Sequence, residues 1–169
     1  MPFGKKDDET KEAAAMSRTL RDKALSVTAA ELSLAPTEAR LNVWGVLMEL
    51  GYPQAVATLA VFADGTSSLH ISTGGGVIGA GEHTSVRDVA EKFLFAAQGL
   101  VAHFEPAGET PFPEPGRVRF YIRTFDGTLT AEAAEQELGT NHHKLGPLFH
   151  AGHAVITQMR LISERRDEA

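Results

Sequence analysis

Three groups of residues in this chain have the types and spacing to do chemistry. The first is a glycine-rich run, Gly74, Gly75, Gly76, Val77, Ile78 and Gly79, continued by Gly81, Glu82, His83 and Thr84. It formally satisfies G-x-G-x-x-G, the pattern that lets a backbone approach a pyrophosphate at a helix start. Its setting is wrong for a dinucleotide: the strand before it reads as the second arm of a hairpin, too few strands follow for a doubly wound sheet, and no acidic residue sits about twenty positions on at a strand end. No Gly-Lys-Ser/Thr ends the run, so no P-loop is present. What survives is a ligand or anion site built from backbone N–H groups at a helix start. The structural alternative is that the glycines permit a sharp bend, a bulge or close approach of another backbone.

The second group is four histidines, His142, His143, His150 and His153. The last two are three apart, so they share a helix face. Imidazoles so placed can bind zinc, nickel or copper. The pattern lacks the spacing and internal Glu of H-E-x-x-H, and His153 also suits the edge of a core. The third group is Arg117, Arg119 and Arg123 with Tyr121, all on one face of an alternating strand,. That face fits an acidic partner or a phosphate; it fits a charged sheet edge as well. Ser72, Thr73, Glu82 and His83 hold acid, base and hydroxyl groups, but no G-x-S-x-G elbow supports nucleophilic catalysis. No catalytic set is predicted, and no cofactor is called for.

The elements that must position these residues follow from pattern. Residues 9–25 are rich in Ala, Glu, Lys and Arg and predict a helix with a narrow apolar stripe, Ala13, Met16, Leu20 and Ala24,. Leu41, Trp44, Leu47 and Met48 recur at helical spacing between a Thr37 cap and a Gly51-x-Pro53 stop, predicting a second helix. Two apolar runs flank Asp64-Gly65, a hairpin signature. Thr84 or Ser85 opens a long amphipathic helix to about Phe104. Residues 105–116 hold four of the eight prolines and form a stiff connector,. Arg117–Phe125 alternates as a strand and turns at Asp126-Gly127. Over Thr128–Leu138 propensity favours a helix and alternation a strand; a short strand followed by a helical turn reconciles them. A last helix begins at Pro147, with Leu148, Gly152, Val155, Met159 and Ile162 inward. Residues 164–169 read as a charged tail.

The composition excludes several classes. The chain has 169 residues, no Cys and a net charge of −6. Disulfide scaffolds, thiolate nucleophiles and thiolate zinc sites are out. An acidic balance argues against a nucleic-acid partner. No signal peptide or apolar run long enough for a membrane is visible, so a cytoplasmic location is expected. From Ala24 to Gly81 only Glu31, Glu38, Arg40, Glu49 and Asp64 are charged, so this stretch should build the core.

The expected fold class is α+β, a small antiparallel sheet with two Asp-Gly hairpins packed against long helices. Residues 1–25 would form a peripheral charged segment and 26–163 a single domain. The order over about residues 37–163 resembles roadblock/LC7 and profilin-like modules (α-β-β-α-β-β-α). That resemblance implies a dimer acting as a scaffold or as a regulator of small GTPases, and it brings no catalytic residue. Acidic secretion chaperones, also short dimeric α+β chains, are the neighbouring alternative. The expected function is a non-enzymatic, homodimeric interaction module with an unidentified protein partner and with residues 9–25 as an exposed or swapped arm. A small-ligand or anion-binding protein, or an enzyme, using residues 74–85 is the alternative.

Overall fold

The sparsely charged stretch of the sequence supplies the middle of a sheet. The computed structural model describes residues 3–38 and 42–168. Its element order is α1 (Phe3–Ser26), β1 (Val43–Gly51), β2 (Val56–Phe62), β3 (Ser67–Ile71), β4 (Gly76–Ile78), α2 (Thr84–Leu100), β5 (Glu105–Pro106), β6 (Arg117–Thr124), β7 (Gly127–Ala134), α3 (Glu135–Leu138) and α4 (Gly146–Glu168). The strands form one antiparallel sheet in the order β4-β3-β2-β1-β6-β7-β5. This is the expected α+β class; the short edge strands β4 and β5 fall in the glycine-rich run and the proline-rich connector, where no strand was expected, and one expected element is replaced.

That element is the second helix. Val43–Gly51 is a strand, not a helix, and every residue of it is buried. It lies between β2 and β6, with Leu47 opposite Ala60 on one side and Tyr121 on the other. A strand covered on both faces is apolar throughout, and a subset of any such run falls at helical spacing. Gly51 is no helix stop: a Cβ there would meet the Glu114 carbonyl oxygen at 2.1 Å. Thr37 sits in an isolated bridge, and Leu41 lies outside the described residues.

The other expectations translate directly. Asp64-Gly65 closes the β2–β3 hairpin and Asp126-Gly127 the β6–β7 hairpin. The strand-then-helical-turn reading of Thr128–Leu138 corresponds to β7 and α3. The segment 164–168 continues α4 rather than leaving it as a tail.

Alternation sends the side chains of the central strands to two different environments. On one face Val46, Met48, Leu50, Leu59, Val61, Val118, Phe120 and Ile122 pack under Phe93 and Ala97 of α2 and Leu148, Val155 and Met159 of α4. Gly152 lets α4 come close: a Cβ there would meet the Met48 sulfur at 2.7 Å. On the other face Trp44, Leu47, Ala60, Phe62 and Tyr121 form a smaller cluster with Ala24 and Val27. The same face carries Glu49, Thr58, His70, Arg119 and Arg123, and α1 and the proline-rich connector cover part of it.

Candidate functional site

Two surfaces stand out, one along α2 and one beneath α1. The α2 surface starts at the glycine-rich run. Gly74 and Gly75 turn the chain from β3 into β4, both with positive φ. Gly76 presses on the β3 backbone, where a Cβ would lie 2.1 Å from the Leu69 carbonyl oxygen. Gly81 presses on the β2–β3 turn, at 1.9 Å from the Gly65 carbonyl oxygen by the same measure. The close approach anticipated for glycine therefore occurs at Gly76 and Gly81.

The turn that follows uses its own backbone donors. The Glu82 N–H donates to Gly79 O and the His83 N–H to Ala80 O. His83 is the N-cap of α2 and makes no side-chain cap bond; its ring lies 3.3 Å from the Arg166 guanidinium. Thr84 is exposed at the helix start.

Gly79, Gly81 and Glu82 line a groove of about 620 Å³ with Asp64, Thr66, Ser67, Arg87 and Glu91. Arg87 donates from Nη2 to Gly81 O at 3.1 Å, fixing that wall. Asp64, Glu82 and Glu91 bring carboxylates to the groove wall and Arg87 brings a guanidinium. A second groove of about 610 Å³ continues along α2 past Asp88, Glu91, Lys92, Ala96 and Gln98. Phe95 stands on it and is 78% exposed.

The site beneath α1 is polar and closed. Glu49 is fully buried on β1. Its carboxylate accepts from Arg21 of α1 at 2.7 and 2.8 Å and from the Thr58 hydroxyl at 2.6 Å. Arg21 also donates to Thr110 O and lies 4.2 Å over the Phe112 ring. Burial alone would lower the Arg21 pKa, but the Glu49 carboxylate overrides this and holds it above its ordinary value,. His70 lies beside this pair, nearly fully buried, and neither ring nitrogen has a hydrogen-bond partner. Burial lowers its pKa and so does Arg21, with Glu49 acting the other way.

The Arg-rich strand face turns inward here. Arg123 donates to the carbonyls of Ala24 and Val27, both at 2.7 Å, and lies 4.6 Å over the Trp44 ring. It thereby caps the end of α1. Tyr121 donates to Pro111 O, and burial together with Glu49 pushes its pKa up to about 12. Arg117 and Arg119 share Glu132. Tyr121 and Arg123 are thus spent inside the chain and do not face solvent.

The histidines are not gathered. Among the described residues no group of three or more His, Asp or Glu is placed to hold a metal ion. His143 accepts the Leu145 N–H through Nδ1, and His142 is exposed in the preceding loop. His150 and His153 both pack edge-on to Phe149, at 5.5 and 4.4 Å. Ser72 and Glu82 are also apart: Ser72 accepts from Val56 N–H at the start of β2, and Glu82 lies beside Gly65 beyond its end.

Sequence reasoning missed Arg21, His70, Arg87 and Phe95. Glu49 carried a signal, the lone charge among the nine residues of β1. Arg21 carried none, because it sits among other charges on a helix. Comparison with protein-family models, curated protein sequences and solved structures gave no match. No relative lends these residues a role.

Proposed function

We propose that the protein is a non-enzymatic interaction module that acts as a homodimer, with α2 as its contact surface. The observation that carries this reading is Phe95, a large apolar side chain left in solvent at the middle of an otherwise well-packed helix. Exposed aromatic side chains are enriched in interaction surfaces relative to the rest of a protein's exterior. The surroundings suit a second copy of the same helix. In an antiparallel pair about a two-fold axis between positions 93 and 94, Lys92 of one copy meets Phe95 of the other. That pairing sets an ammonium over a ring. Ala96 and Gly99 are small enough to let the helices approach, and a two-fold interface must be self-complementary in this way.

Native mass spectrometry of the untagged protein tests the reading. A dimer is expected, and Phe95→Glu should make it a monomer with unchanged circular dichroism, because the residue is 78% exposed in its own chain. A monomeric wild-type protein, or a dimer that survives Phe95→Glu, overturns it. The same spectrum reads the alternative function: a retained small molecule would favour the groove at Gly79, Gly81 and Glu82.

A further inference from the structure

We infer that α1 is a proton-operated cover: protonation of His70 lifts the Ser17–Ala24 stretch of the helix off the sheet. The inference is independent of the dimer and rests on how α1 is held. Its residues from Gly4 to Ala13 are exposed. Below them the helix touches the sheet largely through polar groups. The Ser17 hydroxyl donates to Ile71 O, Arg21 pairs with Glu49, and Arg123 reaches up to the last carbonyls. Polar docking of this kind is balanced closely against hydration of the same groups, so a small change in charge tips it.

His70 sits where that change would act. Both ring nitrogens are sealed from solvent without a partner, which disfavours the closed state by the desolvation of each polar atom,. Among the described residues, the charged groups facing the ring are few. Glu49 from β1 is the anion, and it already accepts two bonds from Arg21 and one from Thr58. Arg21 and Arg18 come from α1. Thr58 of β2, Ser72 after β3, Gly76 and Ile78 of β4 and Phe112 of the connector bring no charge. A proton on His70 therefore adds a cation beside Arg21 on a ring whose nitrogens are out of contact with solvent,. Either cation is relieved if α1 leaves. The sheet cannot yield as readily, since β3 is hydrogen-bonded on both sides. A cavity of about 150 Å³ between Met16, Leu20, Gly76 and Ile78 leaves the helix loosely seated at this point.

The sign follows from the burial of the ring. The closed state holds His70 neutral, so the cover is favoured above the ordinary histidine value near 6.5 and is lost as pH falls below it. One histidine can supply at most about a thirty-fold change in the open-to-closed ratio by about pH 5.

Hydrogen exchange, corrected for intrinsic rates, tests this on the full chain. The amides of Ser17–Ala24 should lose protection by roughly ten- to thirty-fold between about pH 7.5 and about pH 5. Amides of β1 and β2 should keep theirs. His70→Leu should abolish the pH dependence and leave α1 protected at both values, and His70→Gln serves if the leucine variant does not fold. Fluorescence of Trp44, the sole Trp, gives a second reading near the far end of α1. Unchanged protection at about pH 5 overturns the inference, and so does an equal loss in both the wild-type and the His70 variant.

Discussion

The two faces of the sheet are built from the same strands and held by different physics. Under α2 and α4, contact is apolar and close-packed, and Phe93, Phe120, Leu148 and Met159 have no exposure at all. Under α1 and the connector, the same strands present Glu49, Thr58, His70 and Arg123, and the cover is held by ion pairing and carbonyl capping. Apolar burial is additive and nearly indifferent to pH. Buried charge is neither: its net value is a small difference between desolvation and pairing. One face should set the stability of the domain, and the other should decide whether α1 is in place.

The comparison can be broken from either side. The largest effect is expected on the apolar face. Phe93→Ala leaves a cavity between α2, α4 and the sheet and should cost about 3–5 kcal/mol of global stability. Urea unfolding with an unchanged denaturant slope would measure it. A cost near zero would place the main core elsewhere.

The buried pair should show an asymmetry of similar size. Arg21→Met leaves the Glu49 carboxylate trapped in the middle of the sheet and should cost about 3–5 kcal/mol. Glu49→Leu leaves Arg21 on a helix that can carry it into water, so the loss should be smaller, about 1–3 kcal/mol, and confined to α1. Equal costs for the two variants would mean that α1 cannot leave. The smallest effect is expected at Arg123. Arg123→Met removes the cap from the Ala24 and Val27 carbonyls and should cost about 1–2 kcal/mol. Hydrogen exchange at the end of α1 reads this, and a loss shared equally by β1 would count against a local role.

Local signals in the sequence located most elements. Both Asp-Gly pairs made hairpins, the amphipathic stripe beginning at Val86 made α2, and the inward residues of the last helix are inward in α4. The run from Val43 to Gly51 was misread because burial on both faces erases the alternation that marks a strand,. The site was legible only in part. Gly79, Gly81 and Glu82 do line a groove, yet Arg87 and Phe95 look in sequence like ordinary members of a helix.

The sequence by itself determined the fold class, the two hairpins and the absence of thiol chemistry, since these depend on residue type and near-neighbour spacing. Only the tertiary structure decided which charges are buried and which are spent. Arg21 and Glu49 are 28 residues apart, and Arg123 is 99 from Ala24. The environment that makes a buried carboxylate tolerable, or lowers a histidine's affinity for a proton, is assembled by distant strands and leaves no periodic trace in the chain,.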